Sequence, residues 1–159
     1  MIPLTIPALL EYLKKEKFDA KLQSVTNQIY IVFKKEGHEF PLFIKVAEEG
    51  KILQLIVFLP GSYQAKNKGD LARLLHFINK EIDLPGFGMD ETSGVLFYRA
   101  VLPFPEGSVN TSLLQNMLQA LPHLAATFLP FITSTANGVS FETTMGKIKD
   151  ALSRIGKSK

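Results

Sequence analysis

Residues 71–103, LARLLHFINKEIDLPGFGMDETSGVLFYRAVLP, constrain the fold more than any other stretch. Leu71, Leu74, Leu75, Ile78 and Ile82 recur at helical spacing, which predicts an amphipathic helix over about 70–82. Pro85-Gly86-Phe87-Gly88 ends it, because proline lacks the backbone donor and glycine is a poor helix former. Phe87 and Met89 then open a short strand, DETSG closes a turn, and VLFYRAVLP returns as a second strand. A helix that feeds an antiparallel hairpin places the chain in the α+β class.

The flanking sequence extends this reading. Thr5 caps a first helix over 5–17, with Pro7 in its first turn and Leu9, Leu10 and Leu13 on one stripe. Strands follow at 28–34, 39–47 and 51–59, joined by turns at Glu36-Gly37-His38 and Glu48-Glu49-Gly50, which makes an antiparallel meander. Pro41 biases its strand to an edge or a bulge. Residues 60–69 read as a loop, and Asp70 or Asn67 caps the helix after it. A long helix over 110–132 is expected to kink at Pro122. Thr133 to Gly138 reads as a small-residue hinge. A last helix over 140–155 carries Phe141, Met145, Ile148, Leu152 and Ile155 in one seam. The expected order is α-β-β-β-α-β-β-α with one additional C-terminal helix.

A length of 159 residues with 46% hydrophobic content fits one globular core and excludes disorder as the main state. Cysteine is absent, which removes disulfides, thiolate metal sites and Cys nucleophiles, and agrees with a cytoplasmic location. The start, MIPLTIPALLEYLKK, has no basic residue ahead of its apolar part, so it does not read as a secretory signal. The apolar run 113–132 is broken by Gln115, Asn116, Gln119, His123 and two prolines, so it reads as an amphipathic helix rather than a membrane span. The net charge of +3 is matched by residues 139–159 alone, where Lys147, Lys149, Arg154, Lys157 and Lys159 face only Glu142 and Asp150. The remainder is neutral, which argues against a broad nucleic-acid groove.

Leu74-Leu75-His76-Phe77-Ile78-Asn79-Lys80-Glu81, then Gly86-Phe87-Gly88-Met89-Asp90-Glu91 and Gly94-Val95-Leu96, carry a family resemblance. With the element order, they resemble the type III secretion chaperone-like fold, which class I secretion chaperones share with the YbjN-type sensory-regulator family. The resemblance spans residues 5–132. It implies a bacterial, non-catalytic homodimer that holds an extended segment of a partner protein, such as a secreted effector, or alternatively a YbjN-type regulatory or stress-related domain. It implies no cofactor and no catalytic residue. The chain departs from the acidic chaperones in being basic and in having the extra helix. The organisation expected is a chaperone-like domain over 1–133, then a hinge and basic amphipathic helix over 134–159.

Chemical motifs are weak by comparison. His38, His76 and His123 lack metal-ligand spacing, so they read as surface or boundary histidines. Gly86-Phe87-Gly88 precedes a strand, unlike a dinucleotide fingerprint. Lys66-Asn67-Lys68-Gly69 lacks the order of a phosphate loop, and Asp90-Glu91 reads as a solvated turn. A small-ligand or enzyme site around 60–69 and the hairpin would need a deep pocket with convergent polar groups.

Two features point to binding. The strand 52–59, ILQLIVFL, hardly alternates, so either both its faces are covered or one is a binding surface. Its candidate contacts are Ile52, Leu53, Leu55, Ile56, Val57 and Phe58. The tail helix is either a last core helix, a docking element for another chain, or a cationic surface for an anionic membrane. Its candidates are Phe141, Met145, Ile148 and Leu152.

Overall fold

A computed structural model describes residues 1–157. The side chains of 155–157 lie outside that description, and so do residues 158–159; Ile155 of the expected seam and Lys159 are among them.

The chain forms β1 (Ile2–Pro3), α1 (Ile6–Lys15), β2 (Lys21–Gln23), β3 (Gln28–Lys35), β4 (His38–Ala47) and β5 (Ile52–Phe58). It continues with α2 (Lys68–Glu81), β6 (Phe87–Met89), β7 (Leu96–Pro103), β8 (Ser108–Val109), α3 (Thr111–Ala136) and α4 (Phe141–Lys157). The class is α+β, as the sequence predicts. Strands β2 to β7 make a six-stranded antiparallel sheet in the order β2-β3-β4-β5-β7-β6. The hairpin therefore enters with its second strand beside β5, leaving β6 at the edge. Two further two-residue strands, β1 and β8, pair with each other and tie the amino terminus to the start of α3.

Alternation along each strand sorts the side chains. Ile29 and Ile31, then Phe40, Leu42 and Ile44, then Leu53, Leu55 and Val57, then Leu96, Tyr98 and Ala100 are buried in one core. The same core takes Leu9 and Leu13 of α1, Leu71, Leu74 and Ile78 of α2, and Leu118, Leu121, Ala125 and Ile132 of α3. The helices thus lie on one side of the sheet, and no described residue covers its other side.

Local chemistry sets the helix ends. Thr5 caps α1 by accepting from Ala8 N at 3.3 Å. Asn110 caps α3, accepting from Ser112 N at 2.8 Å and Leu113 N at 3.2 Å. Helix α3 runs through both Pro122 and Pro130 and through most of the expected hinge, ending at Ala136. Tertiary burial explains the extension: Thr135 is buried and donates to Thr144 Oγ1 of α4 at 2.8 Å. Asp70 does not cap its own helix. Its Oδ2 accepts from Phe141 N at 3.0 Å, so it caps α4, and the side chain of Asn67 donates to the Ala136 carbonyl at 3.0 Å. Arg73 pairs with Glu142 at 3.0 Å and lies over the Phe141 ring at 4.1 Å. Helix α4 is accordingly packed on α2 and α3 of its own chain, with Ile148 only 1% exposed.

Candidate partner-binding surface

The uncovered side of the sheet is apolar at its centre. Register aligns Tyr30 of β3 with Phe43 of β4, Phe43 with Ile56 of β5, and Ile56 with Arg99 of β7. A neighbouring row holds Val32 opposite Pro41, and Phe58 opposite Phe97. The Tyr30 and Phe43 rings stack at 5.6 Å, and Phe43 meets Phe58 edge-on at 5.6 Å. Phe97 lies close over Gly88: a Cβ there would sit 2.7 Å from the ring tip, so a larger residue would require the ring to swing aside. Val32 and Val101 are 42% and 49% exposed. Lys34, Glu39, Lys45, Gln54 and Arg99 stand around this centre on the same face. An apolar core inside a polar rim is the general anatomy of a protein interface.

At the hairpin end the face deepens into a hollow of about 460 Å³, bounded by Ile56, Phe58, Met89, Val95, Phe97 and Arg99 among others. Asn79 near the end of α2 positions this hairpin. Its Oδ1 accepts from Gly86 N at 3.0 Å and Phe87 N at 2.9 Å, and its Nδ2 donates to Phe87 O at 2.8 Å. Tyr98, on the core side, donates to the Leu84 carbonyl at 2.7 Å, and burial pushes its phenol up to about 12. At the hairpin tip, Asp90 accepts from Thr92 N and Ser93 N, and those backbone bonds hold its carboxyl below the usual carboxylate range.

The structure divides the sequence candidates. Ile52, Ile56 and Phe58 lie on the open face, half-buried by their neighbours. Leu53, Leu55 and Val57 point the other way into the core, and none exceeds 1% exposure, so they are not available to a partner. Period-two alternation imposes this split on any strand of a one-sided sheet. On the tail, Phe141 and Ile148 are buried, and Met145 and Leu152 are half-buried and packed against the same core. That seam closes the core rather than presenting a docking or membrane-binding face, because α2 and α3 already occupy it. Tyr30, Val32, Phe43, Phe97 and Val101 belong to the open face and escape a reading of β5 alone. The parity of β4 carries the missing signal: Lys45 and Glu39 must face water, and Pro41 and Phe43 share their side.

Among the described residues no group of acidic or histidine side chains is arranged to hold a metal ion, and no helix is long and apolar enough to cross a membrane. The fold is a small α+β domain with one open sheet face. Residues 6–134 match the YbjN family, described as "Putative bacterial sensory transduction regulator", and the chain belongs to that family. The fold is similar to that in the crystal structure of YbjN from E. coli, described there as "a putative transcription regulator", at TM-score 0.60 and 11% identity. That similarity covers 82% of this chain and 93% of the other. No curated protein sequence matches the chain. Helix α4 lies beyond the residues matched to the family.

Proposed function

We propose that this YbjN-family protein is a non-catalytic regulatory domain that acts by binding another protein on the open face of its sheet. The observation that carries this reading is the aromatic cluster Tyr30, Phe43 and Phe58, set among polar residues on a face that no described element covers. The family's description as a sensory transduction regulator supports the regulatory part.

Size bears on the kind of partner. Strands β3, β4, β5 and β7, spaced by ~4.8 Å and rising ~3.3 Å per residue over seven or so residues, span on the order of 450 Å² in projection. A standard interface buries ~800 Å² per partner. Side-chain relief makes the accessible area larger than this projection, so the face is at most of standard size and short of the ~1,000 Å² or more per partner of an obligate dimer. The finer reading, in which an extended segment of a secreted protein is held as by a secretion chaperone, uses the same surface. The hollow at the hairpin end supports it by offering one recessed place for an apolar side chain.

The test is affinity capture from the native cell with the wild-type chain, Phe43→Asp and Ile56→Lys, each checked by circular dichroism for an unchanged fold. The expected result is a specific protein retained by the wild type and lost from both variants. Capture of the same proteins by all three would refute the face, and capture of none would refute the binding role. Light scattering across a concentration series separates a second copy from a different partner.

A further inference from the structure

A second recess lies on the helical side of the sheet, away from the open face. It runs along α3, whose residues 116, 119, 120, 123, 126, 127, 130 and 133 line two adjoining hollows at helical spacing. The larger hollow, about 640 Å³, lies between α3 and the β3–β4 hairpin. Its volume is within the range of ~300–1,000 Å³ usual for small-molecule sites. The space follows from the sequence, because the helix presents the small side chains Ala126, Thr127 and Thr133 here. The hairpin turns at Glu36 and Gly37, both with positive φ of 51° and 76°. The floor is apolar: Phe40 is fully buried, and Leu129 is 5% exposed.

The smaller hollow, about 620 Å³, is polar and is lined by Asn116 and Gln119. Lys35 and His123 line both hollows, so they stand where the two meet. His38 sits beside the larger one, and its Nδ1 is 3.1 Å from the Glu36 carbonyl. A carbonyl only accepts, so Nδ1 carries the proton and Nε2 is the ring's remaining polar atom. Glu36 is the one carboxylate among the residues bounding these hollows, and it borders only the larger. The junction therefore carries a lysine ammonium and an imidazole, with side-chain amides on one side and a buried hydrocarbon floor on the other.

We propose that this recess binds a small amphipathic carboxylate. The carboxylate sits at the junction on Lys35 and His123 with the amides of Asn116 and Gln119 in reach. The hydrocarbon tail fills the chamber over Phe40, Leu129 and Pro130. A monoanion with an unbranched tail meets both chemistries; a cation would meet Lys35 at the junction, and a neutral alcohol would leave the ammonium without its counter-charge.

Titration calorimetry on the full chain with decanoate, decanol and decyltrimethylammonium tests this. Saturable binding of decanoate at one site, at least roughly tenfold tighter than of decanol, is the expected result. Lys35→Ala should remove that preference while leaving decanol unchanged. Thr127→Phe and Ala126→Phe, which fill the chamber from the helix, should abolish binding of both. Thr127 is exposed, so the first variant remains informative if the second fails to fold. No saturable decanoate binding, equal affinity for decanol or the cationic ligand, or affinity indifferent to Lys35→Ala and Thr127→Phe would each overturn the proposal.

Discussion

Asn79→Ala is the most direct test of how the hairpin is held. One side chain satisfies three backbone groups, Gly86 N, Phe87 N and Phe87 O, at 3.0, 2.9 and 2.8 Å. On its other side the segment is held to β7, by the bond from Arg99 N to Gly86 O and by the pairing of Phe87 to Met89 with Tyr98 to Leu96, so Asn79 supplies the edge that β7 does not. Leaving a buried polar group without a partner costs ~1–3 kcal/mol, and these groups are part-buried, so water recovers some of the loss. Alanine also returns ~0.5 kcal/mol of helix propensity. The net destabilisation expected is about 2–3 kcal/mol, a large share of the ~5–15 kcal/mol that typical domains possess. Melting should fall by about 4–12 °C, at ~2–4 °C per kcal/mol for a chain of this size. Urea unfolding monitored by circular dichroism gives the free energy, and native-state hydrogen exchange should show Gly86 and Phe87 losing protection first. A loss below about 1 kcal/mol with both amides still protected would refute the idea that this amide anchors the hairpin.

Other expectations are as direct. Gly86→Ala places a Cβ 1.9 Å from the Arg99 carbonyl oxygen, so it should cost about 3 kcal/mol or more, or prevent folding, as read by soluble yield and urea midpoint. Asp70→Ala removes the acceptor for Phe141 N and should cost ~1 kcal/mol, whereas Asp70→Asn keeps a capping oxygen and should cost a few tenths; exchange rates in the first turn of α4 distinguish them. Ile148→Ala should cost about 2–4 kcal/mol if α4 closes the core, and a change under 1 kcal/mol would return that helix to solvent. The Tyr98 phenol sits near 12 when folded against a reference of 10.0, so the unfolded chain gives up this proton first. Stability from this group is intact below about pH 10 and falls as pH rises to about 12. Tyr98→Phe should flatten that part of the alkaline denaturation curve.

Much of the architecture is legible in the amino-acid sequence, and the reasons are local. Thr5 caps where capping chemistry places it, and the Pro85–Gly88 break separates α2 from its hairpin. What escapes is information held between elements. Asp70 reads as the cap of its own helix, yet its partner lies on α4. Thr133 to Gly138 reads as a hinge because small residues favour loops, yet burial of Thr135 against Thr144 keeps its first four residues helical. On β5 an apolar side chain stands at nearly every position, so the strand cannot report its own orientation. Its partner does: pairing Leu42 with Val57 and Lys45 with Gln54 assigns Leu53, Leu55 and Val57 inward and Ile52, Ile56 and Phe58 outward. The recess along α3 leaves no local signal, because Lys35 and His123 are far apart in the chain and come to line the same hollows only through packing.

The sheet ends on both sides in a strand of three residues, β2 and β6. Each covers only part of its neighbour: β2 pairs with Gln28 to Tyr30 of β3, and β6 with Leu96 to Tyr98 of β7, so lateral addition would have to use the rest of β3 or β7. Contact through the flat aromatic side is different, since a surface occupied once is then hidden. Two copies that met through that side would accordingly close as a finite pair.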